Sequence, residues 1–155
     1  MRTLTARSLG LLMQARRDTS GVTAIEFAMI APILIGIAIA VIDLGLGVYT
    51  DTQLANAAHS GASYAVQYSY DSNAMATAAQ ASTNLKNVNV TTAQFCGCPT
   101  DTGVTTASCG STCSDGLTAG TFAQVTASKQ YTTLLSYPGI PASINLSKQA
   151  TVRTQ

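Results

Sequence analysis

The most pronounced pattern in the chain is an apolar run near its N-terminus. Residues 27–42 carry no charged and no strongly polar side chain, and with residues 22–25 the run reaches 21 residues, interrupted only by Glu26. At 1.5 Å per residue, a helix of this length is about 31 Å long, which matches the hydrocarbon core of a bilayer. The pattern therefore predicts one transmembrane helix over residues 22–42.

Beyond this run the pattern predicts a helical region and then a small sheet. Residues 43–84 carry alanines at helical spacing, which we expect to face the sheet rather than another protein. Asp71 or Ser72 is suited to cap a second, short helix that ends near Thr83. Residues 85–155 hold three stretches of alternating apolar and polar residues, typical of antiparallel strands, with a turn at residues 137–141 before the last one. The predicted inward residues are Val88 and Val90, then Ala123, Val125 and Ala127, then Ile144, Leu146, Ala150 and Val152. We therefore expect an α+β fold, a long helix packed on a small antiparallel sheet.

The distribution of charge orients the predicted span. Four arginines precede residue 18, and the next basic residue is Lys86. Because basic residues are retained on the cytoplasmic side, we expect a cytoplasmic N-terminus and an exported C-terminus. Residues 22–155 carry four basic against six acidic residues, a net charge of −2, so they lack the positive clustering of a nucleic-acid-binding protein. The four arginines are Arg2, Arg7, Arg16 and Arg17.

Two simpler interpretations of the apolar run are a cleaved signal peptide and an uncut signal anchor. The nearest Ala-x-Ala site, at residues 55–57, lies well beyond the run, and the run is longer than a usual signal core. An uncut anchor explains the topology but leaves Glu26 without a role. Within the run, Pro32 removes one helical hydrogen bond and predicts a kink. Gly36, Ala38 and Ala40 form a small flank that suits close helix packing.

Glu26 is a carboxylate at the start of the apolar run, where a charge is costly without a partner. A cut between Gly21 and Val22 would create an α-amino group four residues before it, cationic at neutral pH. That group could pair with Glu26 of its own chain or of a neighbouring subunit, and the pair would fix helix register in the membrane. The cut would also remove all four N-terminal arginines. Glu26 is therefore predicted to be a register device for a processed helix.

These residues resemble a known family. Gly21 followed by Glu26 and Phe27, with the apolar helix after the cut, is similar to a type IV prepilin processing site. The stretch GVTAIEFAMIAPILIGIAIAVIDLGLGVYTDTQLANAAHSGASYAV, from residue 21, resembles the TadE-like family, minor pilins and pseudopilins of the tight-adherence (Flp) pilus system. The C-terminal stretch VTASKQYTTLLSYPGIPASINLSKQATVRT is similar as well.

The resemblance implies a role for each matching residue. Gly21 would be recognised by a prepilin peptidase, Val22 would become the mature N-terminus, and Glu26 and Phe27 would serve assembly. The chain would be a substrate and not an enzyme, placed in the bacterial inner membrane with a periplasmic C-terminus, or in a pilus outside the cell. Its partners would be other pilin and pseudopilin subunits and the pilus assembly platform. The implied division is a leader over 1–21, a membrane half-helix over 22–42, an exported helical region over 43–84 and a sheet head over 85–155.

The four cysteines are expected to form disulfides. All lie in residues 96–113, which we expect to be a loop between the first two strands, and an exported head favours oxidation. Zinc is the alternative, but the Cys-x-Cys and Cys-x-x-x-Cys spacings are unlike those of zinc knuckles. We expect two bridges that join the first two cysteines to the last two, with the pairing left open. The cysteines are Cys96, Cys98, Cys109 and Cys113.

The remaining polar residues predict no catalytic site. His59 is expected at a surface or an interface, and Asp43 is expected to be hydrated or to cap the helix at the outer headgroup boundary. Asp101 and Asp115 could help to bind calcium, but their spacing is unlike a calcium loop. No motif for a phosphate, a cofactor or a catalytic nucleophile is present in the sequence. Two hypotheses remain: a processed pilin-type subunit that serves surface attachment, and an uncut, anchored periplasmic binding or scaffold protein.

Overall fold

The computed structural model describes residues 20–135, 139 and 141–154. Within these residues two helices and four strands are formed, and the chain divides into a unit that ends at Ile42 and a second that begins at Asp43. The helices are α1 (Ser20–Tyr68) and α2 (Ser72–Ala81), and the strands are β1 (Asn89–Thr100), β2 (Gly103–Thr106), β3 (Gly120–Thr132) and β4 (Ser143–Thr154). The predicted α+β class, a long helix packed on a small antiparallel sheet, is confirmed.

Helix α1 is long and apolar enough to cross a membrane, with a mean hydropathy of 2.5 over its most apolar 18 residues. None of the residues in that window is buried, whereas the central helix of a soluble protein would be mostly buried. Pro32 lies inside α1 without ending it, and the kink predicted there stays a prediction. The first unit therefore presents one exposed apolar helix that is a candidate membrane span.

Helix α2 begins where the sequence predicts. The side chain of Asp71 accepts hydrogen bonds from the backbone nitrogens of Asn73, at 2.9 Å, and Ala74, at 3.0 Å. Two donors that the first helical turn leaves unpaired are thereby satisfied. Between the helices Ser69 adopts a left-handed conformation with φ of 73°, which ends α1 and turns the chain. Asp71 is thus the cap, and α2 ends at Ala81, two residues before the predicted end.

The sheet has the strand order β2-β1-β3-β4, and every neighbouring pair is antiparallel. The alternation agrees with the prediction in β3, where Ala123, Val125 and Ala127 are buried, and in β4 from Leu146 on, where every second residue is shielded. The prediction was wrong for Ile144, which was expected to face inward and is 40% exposed. Three strands were expected, but β2 adds a fourth as a short hairpin with β1. The expected loop over residues 96–113 is also wrong in part, because β1 runs on to Thr100. No apolar alternation marks this hairpin, so its pattern gave no signal.

The core lies between the helices and one face of the sheet and is built largely from alanine. Small side chains let α1 approach α2 and β3 closely: a Cβ at Gly61 would lie 2.9 Å from the backbone oxygen of Met75 and 3.2 Å from Val125. The alanine stripe therefore faces the core, as predicted. The buried core residues are Leu54, Ala57, Ala58, Ala62, Ala65, Met75, Ala79, Val88, Ala123, Val125, Ala127 and Ala150.

We predict that Gly61→Ala lowers the free energy of unfolding by about 1–3 kcal/mol, because the added methyl group overpacks a close contact. Denaturation of the detergent-solubilised protein, followed by circular dichroism, measures the effect. Gly45→Ala is the matched control, since a Cβ there meets nothing within 4 Å. That substitution should stabilise α1 by roughly 0.5–1 kcal/mol. Equal effects of the two substitutions would contradict the close approach of α1 to α2.

Candidate functional site

The predicted processing segment lies in the first turns of α1. Gly21, Val22, Glu26 and Phe27 are all helical and exposed, and Val22 and Glu26, four residues apart, share one side of the helix. Residues 1–19 of the predicted leader lie outside the described residues. The described half of the processing site is therefore accessible from outside the chain.

The glycine at position 21 has no role in the packing of the described chain. A Cβ built at Gly21 meets nothing within 4 Å of the described residues. In a helix, glycine costs about 1 kcal/mol relative to alanine, and here no close approach compensates for that cost. This contrasts with Gly61, where neighbouring atoms exclude a side chain. Among the described residues, packing gives no reason for a glycine at position 21.

The carboxylate of Glu26 lacks a cationic partner within the part of the chain that the structure describes, where the ion pair formed is Lys148 with Asp51. Its neighbours Ile25 and Phe27 are exposed and apolar. In a membrane, a carboxylate in such surroundings is expensive unless it meets an opposite charge. The geometry thus leaves Glu26 open to a partner from another chain or to a new terminus of its own.

Asp43 occupies a position that the sequence did not predict. We expected it to be hydrated or to cap the helix, but α1 continues past it and only 4% of the residue is exposed. Tyr131 donates its hydroxyl to Oδ1 and to the backbone oxygen of Asp43, and the backbone nitrogen of Leu134 donates to Oδ2 at 3.1 Å. Both carboxylate oxygens are thereby occupied. The expectation of hydration was wrong because residues about 90 positions further along the chain fold over Asp43, and such a contact has no local signal.

An apolar groove lies beside this cluster. Its walls are formed by Leu44 and Val48 of α1, and by Ile144 and Leu146 of β4, with Tyr131 at the end next to Asp43. The groove carries almost no polar surface apart from the Asp43–Tyr131 contact. It is consequently unsuited to a polar substrate and suited to hydrocarbon.

The cysteines form two disulfides, Cys96–Cys109 and Cys98–Cys113. Cys96 and Cys98 are two residues apart on β1, so their side chains leave the same face of the strand. Their partners lie in the segment between β2 and β3. The bridges join the first two cysteines to the last two, as expected, and the structure adds the pairing. With all four sulfurs bonded in pairs, none is left as a thiolate for zinc.

The other polar candidates lie apart from one another. His59 is exposed on α1, and the side chain of Asp115 accepts a hydrogen bond from the backbone nitrogen of Leu117 at 3.0 Å, which is a turn contact. Asp101 is exposed in the β1–β2 turn. Among the residues the structure describes, no three His, Cys, Asp or Glu side chains are grouped so that they could hold a metal ion.

A long apolar N-terminal helix packed on a small antiparallel sheet is a pilin-like arrangement. The comparison with protein families agrees with this class. Residues 21–63 match the family described as TadE-like protein, a match that lies entirely within α1 and confirms the resemblance there. No curated protein and no solved structure matches the chain.

We predict that Tyr131→Phe lowers the free energy of unfolding by about 1.5–3 kcal/mol, because the hydrogen bond it removes goes to a charged, buried acceptor. Thermal denaturation in detergent measures the loss. Tyr49→Phe, at a half-exposed tyrosine of α1, is the control and should change stability by no more than about 0.5 kcal/mol. A similar loss in both variants would contradict the anchoring role of Tyr131.

We predict that the double substitution Cys98→Ser, Cys113→Ser lowers the free energy of unfolding by about 3 kcal/mol, the chain-entropy value for a 15-residue loop. Urea denaturation of the non-reduced protein provides the measurement. Reduction of the unmodified protein should destabilise it further, since both bridges then open. Unchanged stability in the double variant would mean that the Cys98–Cys113 bridge does not constrain the unfolded chain.

Proposed function

We propose that this chain is a TadE-like minor pilin or pseudopilin, cut after Gly21 by a prepilin peptidase and used in assembly of a tight-adherence pilus for surface attachment. The observation that carries the proposal is the exposed Gly21–Glu26 segment on an apolar helix that matches the TadE-like family. A packing role for glycine is missing at position 21, and an ion-pair partner is missing for Glu26 among the described residues. Processing gives both residues a purpose.

The physical step is the creation of a charge. The cut would leave Val22 with a cationic α-amino group, one helical turn from Glu26. A subunit entering an assembly could then match its amino group to the Glu26 carboxylate of a neighbour. Such a pair, formed in a low-dielectric surrounding, selects one register of the two helices because any other register leaves two unpaired charges.

The proposed location follows from α1 and from the arginines before it. As a single-pass protein of the bacterial inner membrane, the chain would keep its N-terminus in the cytoplasm and its sheet in the periplasm. Its partners would be the prepilin peptidase, other pilin and pseudopilin subunits and the assembly platform. In this function the chain is a substrate and a building block, and it performs no catalysis itself.

We predict that the protein isolated from cells with an active prepilin peptidase begins at Val22. N-terminal sequencing and the intact mass of the non-reduced protein measure this directly. Gly21→Asp should leave the chain uncut, since a charged side chain replaces the residue at the cut. A chain that retains Met1 in such cells would overturn the pilin proposal and favour an anchored periplasmic scaffold.

We predict that Glu26→Ala is cut normally but assembles poorly. Loss of one partner of a buried ion pair costs about 3–5 kcal/mol, so assembled subunits should fall roughly a hundredfold or more. The amount of the subunit in sheared pili, measured with an antibody, provides the test. Asp51→Ala is the matched control, because it removes a carboxylate whose ion pair is exposed and weak. Wild-type levels of Glu26→Ala in pili would contradict the register role.

A further inference from the structure

The exposed apolar residues of α1 do not end at residue 42, where the sequence predicts the end of the span. Asp43 ends the uncharged run, but its carboxylate is turned into the protein and satisfied there. The residues that follow are again apolar and exposed: Leu44 is 73% and Val48 is 60% accessible. After Asp43, the next charged residue along the chain is Asp51, which is exposed and paired with Lys148. Exposed apolar side chains of α1 therefore continue past Asp43 to Tyr49, with Glu26 as the one exposed charged residue among residues 22–49.

This stretch of α1 is longer than the hydrocarbon core of a bilayer is thick. Residues 22–49 of α1 measure about 42 Å at 1.5 Å per residue, against about 30 Å for the hydrocarbon core of a bilayer and about 40–45 Å with both headgroup layers. A span that begins near Val22 thus reaches its outer headgroup layer along residues 43–49. Tyr49 lies at the end of this stretch, and tyrosine is enriched at that depth.

A second segment of the chain, the connection after β3, is held next to Asp43. The backbone nitrogen of Leu134 donates a hydrogen bond to the carboxylate of Asp43, and Asp43 follows Ile42 directly in the chain. The side chains of Leu134 and Leu135, in the connection after β3, are 56% and 42% exposed. Leu44, Val48, Leu134, Leu135 and Ile144 together form what we call the apolar collar. None of these residues is charged.

We propose that the apolar collar is a lipid-docking surface, through which the exported unit rests on the outer leaflet of the bilayer with Leu134 and Leu135 at the boundary between headgroups and acyl chains. The proposal rests on the membrane span and orientation of the proposed function. Lipid is the occupant because the collar is continuous with the span: Asp43 is covalently next to Ile42, so a spanning α1 brings the collar to the bilayer surface. The largely apolar groove beside Asp43 lies between three members of the collar, Leu44, Val48 and Ile144.

The absence of tryptophan from the sequence makes a direct test possible. Single tryptophans are introduced as Leu135→Trp in the collar and as Ile35→Trp, at an exposed position of the span. Leu117→Trp, at an exposed leucine between β2 and β3, is the matched control. Each full-length variant is reconstituted into phosphatidylcholine liposomes with acyl chains brominated near the headgroup. Tryptophan emission is compared with that in unbrominated liposomes.

We predict that bromination lowers the emission of Leu135→Trp roughly twofold or more, because docked apolar side chains lie about 5–10 Å deep in the interface. The emission of Ile35→Trp should fall as well, and that of Leu117→Trp should not change. Quenching in Ile35→Trp alone would overturn lipid docking and leave the span intact. If only the emission of Ile35→Trp falls, and aqueous iodide does not quench the tryptophan of Leu135→Trp, then a second copy of the protein covers the collar and lipid docking is overturned. Quenching in neither Leu135→Trp nor Ile35→Trp would overturn the membrane span itself, and with it the docking that rests on it.

Discussion

The buried carboxylate of Asp43 is the constraint on which the arrangement of the second unit depends. A charge removed from water loses several kcal/mol of solvation unless hydrogen bonds replace it, and here Tyr131 and Leu134 supply them from about 90 residues further along the chain. The contact fixes the end of β3 and the connection after it against the start of the second unit. Without these hydrogen bonds the carboxylate of Asp43 would have to be hydrated. The exposed apolar residues of α1 would then be interrupted by a hydrated charge at residue 43.

The second constraint is the small size of the residues where α1 meets α2 and the sheet. Alanines and Gly61 allow close approach, so the stabilisation comes from many short contacts rather than from a few large side chains. Because alanine and glycine bury little apolar area per residue, this interface contributes limited stability. The two disulfides and the N-cap of α2 add to the stability of the fold. The exposed ion pair between Asp51 and Lys148 adds little, since exposed pairs contribute at most about 1 kcal/mol.

The sequence predicted those features that local pattern encodes. The apolar run, the alanine spacing and the alternation in β3 and β4 gave the helix, its buried face and the strands, and Asp71 marked the start of α2. Strand β2 and the end of β1 were missed because the residues from Cys96 to Thr106 show no regular alternation of apolar and polar side chains. The burial of Asp43 was missed because it depends on contacts distant in sequence. The role of Glu26 stays a prediction, since the cationic group proposed to meet its carboxylate would be created only by a cut before Val22.

In the pilus that we propose, the disulfides would limit how far the subunit extends under tension. Without a cross-link, a pulling force transmitted along the backbone from β1 to β3 would extend the segment between these strands. The Cys98–Cys113 bridge carries that force across a separation of 15 residues, so roughly 50 Å of extendable chain is withheld, at 3.3–3.6 Å per residue. The residues enclosed by this bridge would therefore add no extension under load, whatever their sequence or exposure.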